Sequence, residues 1–214
     1  MLNRYAEGSG TAAKFAKISD IKFLSATTLI CSDTDNHCLR LLNLTGTMAE
    51  TSTYAGNCTV AGAINGHRLH SALFSFQKYI EVDNYNSTIF VIDGSKMVRT
   101  INIITNEVTK LVQFGTNFRS MLLSGNSLLY FSSGQRITAL NLDPRKYNAI
   151  TGGSKLGKAT GSFDNTRFDL ARGLLLLSHE GRTLLLVADK RNNRYAGYSV
   201  VYIKFKKMLY NHII

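Results

Sequence analysis

The amino-acid sequence predicts an all-β chain made of a repeated unit of about four short antiparallel strands. Two features recur along it. A phenylalanine is followed at a near-constant distance by an apolar run that ends in aspartate, and a polar turn then leads into a second apolar run. The runs are short and rich in β-branched and aromatic residues, as strands covered on both faces are. The turns carry Asp, Asn and Gly, whose side chains cap backbone amides or whose backbones tolerate positive φ.

The first copy sets the pattern. Phe15 precedes an alternating stretch from Ile18 to Phe23, then Thr28-Leu29-Ile30-Cys31-Ser32-Asp33. A turn through Asn36 leads into Cys38-Leu39-Arg40-Leu41-Leu42-Asn43, and a second turn at Thr45-Gly46-Thr47 leads into residues 51–55 and a closing Gly56. The second copy has Phe74, Ile89-Phe90-Val91-Ile92-Asp93 and Met97-Val98-Arg99-Thr100-Ile101. A weaker third copy has Phe118, a run over 128–133 with Ser133 in the aspartate position, and Arg136-Ile137-Thr138-Ala139-Leu140. The last has Phe168, then Leu184-Leu185-Leu186-Val187-Ala188-Asp189, then Asn192-Asn193-Arg194. Phe precedes Asp by 18, 19 and 21 positions in the three strong copies, and Asp33 lies 60 positions before Asp93. Self-similarity on this scale marks a propeller or a strand array, because one four-stranded unit needs neighbours to cover its faces.

The stretches Ser32-Asp33-Thr34-Asp35-Asn36-His37-Cys38-Leu39-Arg40 and Val187-Ala188-Asp189-Lys190-Arg191-Asn192-Asn193-Arg194, with the closing Tyr54-Ala55-Gly56, resemble the NHL-repeat β-propellers. The repeats divide the chain into about four blades, 1–56, 57–112, 113–145 and 146–201, with 202–214 an irregular basic tail; the resemblance implies six, so four make an incomplete ring. A further chain or a second copy would then complete the ring. It also implies a non-enzymatic scaffold that engages protein partners through loops on one propeller face. Members of the tripartite-motif group use that face for RNA stem-loops, and others are metal-dependent lyases with channel histidines. Frequent extracellular members give the compartment an extracellular lean.

Charge is uneven. Residues 1–112 hold 10 Lys/Arg against 9 Asp/Glu, whereas 113–214 hold 15 against 5. Arg145, Lys146, Lys155, Lys158, Arg167, Arg172, Lys190, Arg191 and Arg194 fall mostly in expected turns, so they are candidates for one basic binding face. Tyr147, Phe163, Tyr195 and Tyr198 lie among them, as base-stacking residues would. RNA binding is therefore the competing function.

No catalytic residue, metal site or cofactor is expected. Gly152-Gly153-Ser154-Lys155-Leu156-Gly157-Lys158 approaches a phosphate loop, but Ala159 stands where the hydroxyl belongs, so it reads as a basic connecting loop. His67 and His70 are three apart without a third ligand nearby. Asp33, Asp93 and Asp189 recur at matching places, which assigns them to turn capping. Of the three cysteines, Cys31 sits in an apolar run and reads as a buried thiol. A hairpin centred near Gly46-Thr47 sets Cys38 opposite residues 55–57, within bridging reach of Cys58; that disulfide would require an oxidising compartment. Asn43, Asn57 and Asn86 head glycosylation sequons, at a frequency chance alone supplies. No apolar run reaches the ~18 residues of a membrane helix, and the N-terminus lacks a signal-peptide pattern.

Overall fold

The computed structural model describes residues 5–83, 85, 87–143, 145–151, 168–179, 182–190 and 199–204. These contain no α-helix, only two short 3-10 turns at Gly10–Ala12 and Thr34–Asn36. The chain divides into two compact units, residues 1–117 and 118–214.

The first unit holds two five-stranded antiparallel sheets. The strands of one are β1 (Gly8–Ser9), β2 (Ile18–Phe23), β3 (Thr28–Asp33), β4 (Cys38–Asn43) and β5 (Glu50–Ala55), in the order β1-β5-β4-β3-β2. The other contains β6 (Gly66–His67), β7 (Ile80–Val82), β8 (Thr88–Asp93), β9 (Met97–Asn102) and β10 (Glu107–Gln113), ordered β6-β10-β9-β8-β7. Each is a four-stranded meander to which an upstream two-residue strand adds a fifth. Ile30, Leu39, Tyr54 and Ala55 of the first sheet pack on Phe74, Ile80, Ile89, Val91, Ile101 and Val108 around the second. Alternation along β8 sends Ile89 and Val91 to this core and Phe90 and Ile92 to the opposite face. Both faces are covered, which explains an uninterrupted apolar run. Polar contacts lock the seam: Thr34 Oγ1 donates to the Gln77 carbonyl at 2.7 Å, Ser32 Oγ to that of Lys78 at 2.6 Å, and Lys22 Nζ meets Glu81 Oε1 at 2.9 Å.

The second unit holds a meander of β11 (Ser120–Ser124), β12 (Leu128–Ser132), β13 (Ile137–Leu142) and β14 (Arg145–Thr151), and a three-stranded sheet of β15 (Ala171–His179), β16 (Arg182–Asp189) and β17 (Ser199–Lys204). Tyr130, Ile137, Phe168, Ala171, Leu185 and Val187 form its core. Leu174 and Leu176 point into it while Leu175 and Leu177 are exposed, so the leucine run is a strand with one face in the core.

Two boundaries differ from expectation. β14 pairs with β13, so the third sheet extends to Thr151 and does not stop at 145; the charged Arg145-Lys146 start resembles a loop, but a backbone ladder is indifferent to solvent-facing charge. β17 runs to Lys204, so residues 202–204 belong to a strand paired with β16 and not to an irregular tail. The β4–β5 register agrees with the expected pairing: Arg40 lies opposite Thr53 and Leu41 opposite Ser52, with one bulge before Leu39 meets Ala55.

Candidate functional site: the hairpin-loop end

In both sheets of the first unit the repeated Phe, Asp and Arg meet in one buried clasp. Asp33 Oδ1 accepts the Ala16 and Lys17 amides at 3.0 and 3.3 Å, and Asp93 Oδ1 accepts the Ser75 amide at 2.7 Å. Asp189 in the second unit accepts the Asp169 and Leu170 amides in the same way, Leu170 at 2.7 Å. All of these donors lie one or two residues after the repeat phenylalanine. The aspartates were expected to cap the backbone of their own turns. Their backbone donors instead belong to the segment some 16–20 residues upstream, because β3, β8 and β16 each end beside the chain that enters its sheet.

Arg40 and Arg99, both fully buried, complete the clasp. Arg40 approaches Asp33 Oδ2 at 3.4 Å and donates to the carbonyls of Lys14 at 3.3 Å and Ala6 at 2.9 Å. Arg99 pairs with Asp93 Oδ2 at 3.0 Å and donates to the carbonyls of Leu73 and Ile64. Ala6 with Lys14, and Ile64 with Leu73, are isolated β-bridge pairs, so each guanidinium ties both halves of a bridge to the aspartate. Arg40 also lies over the Phe15 ring at 5.1 Å and Arg99 over Phe74 at 4.6 Å. Burial pushes the Asp93 carboxyl above its ordinary value, against the Ser75 amide and Arg99, and lowers that of Arg99. The role of these arginines is absent from the sequence reading, although Arg40 and Arg99 stand seven and six positions after their aspartates. The third sheet lacks both partners: Ser133 replaces the aspartate, and Thr138 sits opposite Phe131 where the arginine would be.

The clasps hold the loops at one end of the sheets, where the β3–β4 and β8–β9 hairpins turn. Cys38 and Cys58 are joined by a disulfide there, and the Thr59 amide donates to the Asn36 carbonyl at 2.8 Å. Gly56 has φ +90°, and a Cβ on it would stand 3.0 Å from the Phe74 ring and 3.1 Å from the His37 carbonyl, so only glycine fits. On this rigid base stands Phe76, with φ +53° and half of its surface exposed. Its amide donates to His37 Nδ1 at 3.2 Å, and the two rings meet edge to face at 4.6 Å. That bond makes Nδ1 the acceptor, so Nε2 carries the imidazole proton. A phenylalanine held in left-handed backbone and displayed to solvent is costly in isolation.

Of the expected basic face, Arg145, Lys146, Arg172 and Lys190 are described, and all four are exposed. They do not share one end of the second unit. Gly134, in the β12–β13 hairpin, bridges Ala171, and Ala171 pairs with Asp189, so Arg172 and Lys190 belong to the hairpin end of that unit. Arg145 pairs with Leu142 at the opposite end of the third sheet, with Lys146 beside it. The single-patch expectation is corrected to this extent: the meander reverses β14, placing its charged start away from the hairpins. Arg119 and Arg136, missed in the sequence, stand at the hairpin end with Arg172 and Lys190. Lys155, Lys158, Arg167, Arg191 and Arg194, with the whole Gly152–Lys158 motif, lie outside the described residues.

His67 and His70 stack at 4.4 Å, and among the described residues no cluster of three His, Cys, Asp or Glu is assembled. Asn43 Oδ1 accepts the Thr45 amide and hydroxyl at 3.1 and 2.9 Å, Asn57 is exposed beside the disulfide, and Asn86 is not described. Cys31 is wholly buried, which with the nearby Asp33 pushes its thiol up to about 12. It should therefore resist iodoacetamide in the folded protein at pH 8 and react only after denaturation; intact-mass measurement checks this. Among the described residues no helix is long and apolar enough to cross a membrane.

No family model and no curated protein matches this chain. Solved structures do. A chain of the nidogen/laminin complex is 14% identical, with a TM-score of 0.55 over 80% of this chain and 57% of that one. An auxiliary nutrient binding protein from Bacteroides ovatus is 12% identical, with a TM-score of 0.50 over 88% and 58%. The extracellular domain of a hybrid two-component system from B. thetaiotaomicron is 10% identical, with a TM-score of 0.52 over 91% and 23%. This chain thus spans less than two thirds of each neighbour's length. Together with the four antiparallel sheets among the described residues, these likenesses show an all-β, β-propeller-like fold.

Proposed function

We propose that this chain is a non-enzymatic propeller scaffold of the NHL-repeat type that binds a protein partner through the hairpin-loop end. The observation that carries the reading is Phe76: an exposed aromatic in left-handed backbone, fixed by His37 and seated on loops pinned by a disulfide, Gly56 and two buried clasps. Interface hot spots are aromatic anchors, and a preorganised anchor loses little entropy on binding. Supporting this, one structural neighbour is a protein–protein complex and another a nutrient binding protein. The disulfide fits an oxidising compartment outside the cell.

The test separates stability from binding. Phe76→Gly relieves the positive φ while losing the ring contact, so its stability should stay within about 1 kcal/mol of the parent. A photo-crosslinking residue at exposed position 35 should trap a protein partner, and Phe76→Gly should abolish that capture. Capture unaffected by Phe76→Gly would overturn the reading. The alternative is RNA binding by Arg119, Arg136, Arg172 and Lys190, which share the hairpin end of the second unit. It would show as salt-sensitive RNA binding lost on Arg136→Glu.

A further inference from the structure

Resting on the scaffold reading, we infer that the partner segment received by the first unit is an acidic stretch of polypeptide that presents one apolar side chain to Phe76. The loops at this end are residues 15–17, 34–37, 56–59, 75–79 and 94–96. Three lysines occur on them, Lys17, Lys78 and Lys96, against one exposed carboxylate, Asp35. The other carboxylates of these hairpins, Asp33 and Asp93, are buried in clasps and contribute no exposed negative surface. Glu7 is held by the Thr53 amide and hydroxyl at 2.8 and 2.7 Å, on β5.

The loops that carry the lysines are tied to the loop that carries Phe76. The Lys17 carbonyl accepts the Thr34 amide at 2.8 Å, and Thr34 bonds to Gln77, the residue after Phe76. Lys78 follows Gln77, and its Nζ reaches Ser95 Oγ at 3.0 Å, next to Lys96. The His37 ring lies edge to face against Phe76 and accepts its amide at Nδ1. An exposed aromatic among loops whose exposed charge is mostly ammonium is complementary to an apolar side chain flanked by carboxylates.

The same chemistry argues against nucleic acid here. These loops contain no arginine, the residue that grips phosphate bidentately; Arg68, whose carbonyl accepts the Gly56 amide, has its guanidinium on Asn106 and the Tyr54 carbonyl, and Phe76 is the one exposed aromatic on the loops. Single-stranded RNA is held by several stacked aromatics together with guanidinium groups.

The experiment uses the full chain and three short synthetic peptides: phenylalanine flanked by glutamates, the same peptide with glutamines for glutamates, and the acidic peptide with serine for phenylalanine. The acidic phenylalanine peptide should bind at least about tenfold more tightly than either control, and binding should weaken as salt passes ~0.1 M. Lys17→Glu with Lys96→Glu, both exposed, should weaken it about tenfold or more without changing the melting temperature. Equal binding of the glutamine peptide, or indifference to the lysine reversals, overturns the acidic partner; if Phe76→Ala still abolishes binding, the scaffold reading stands. If no peptide binds and position-35 capture ignores Phe76, both readings fail. A short RNA hairpin that displaces the acidic peptide in a Lys17- and Lys96-dependent manner also overturns the inference.

Discussion

Asp93→Ala is expected to lower the unfolding free energy by about 3–5 kcal/mol, enough to threaten the fold of the first unit, because it strands the Arg99 guanidinium in the core without its carboxylate. Removing the carboxylate also orphans the Ser75 amide at the entry to the second sheet. Arg99→Met should be comparably severe, since it frees the Leu73 and Ile64 carbonyls along with Asp93. Two residues acting as one clasp should not be additive: the double substitution should cost about 1–3 kcal/mol less than the sum of the singles. Chemical denaturation of all three variants measures this, and strict additivity would mean that the pair is not a unit. The pH dependence has a defined sign. Burial raises the folded-state pKa of Asp93 above its unfolded value, so its contribution is fully present below the unfolded pKa and falls as pH rises through the folded one. In Arg99→Met the carboxyl loses its cation and rises further, so part of the lost stability should return as pH is lowered toward about 4.

Opening the Cys38–Cys58 bridge is the second large effect. The two cysteines are 20 positions apart, and a loop of that size corresponds to about 3 kcal/mol of unfolded-state entropy. Cys38→Ser with Cys58→Ser should shift the urea midpoint accordingly, and reductant should do the same to the parent while leaving the double variant unchanged. The loss should also loosen the 56–59 loop against His37, so binding at Phe76 should weaken with stability. A parent insensitive to reductant would contradict a structural role for the bridge.

How much of this was legible in advance follows from the range of each interaction. Ile18–Phe23, Thr28–Asp33 and Cys38–Asn43 were readable as strands because alternation and β-branching are local. The Cys38–Cys58 proximity was readable because a two-strand hairpin has simple register arithmetic. Residues 146–151 were assigned to the fourth unit because their charged start has no local mark of a strand, and only the ladder to β13 identifies them. Phe76 carried no signal at all: in Phe74-Ser75-Phe76 one phenylalanine is fully buried under Arg99 and the other is exposed, and composition cannot tell them apart.

By itself the sequence determined an all-β chain, the repeated unit and the recurrence of Phe and Asp, because strand periodicity and turn chemistry act between residues close along the chain. Tertiary structure alone decided what those residues do. It gave each aspartate backbone donors some 16–20 residues upstream and gave Arg40 and Arg99 carbonyls from across the loop. It also separated Arg145 from Arg172 and brought His37 against Phe76. Those are contacts between segments whose approach is set by sheet stacking, and a linear pattern does not encode the direction in which a sheet end faces.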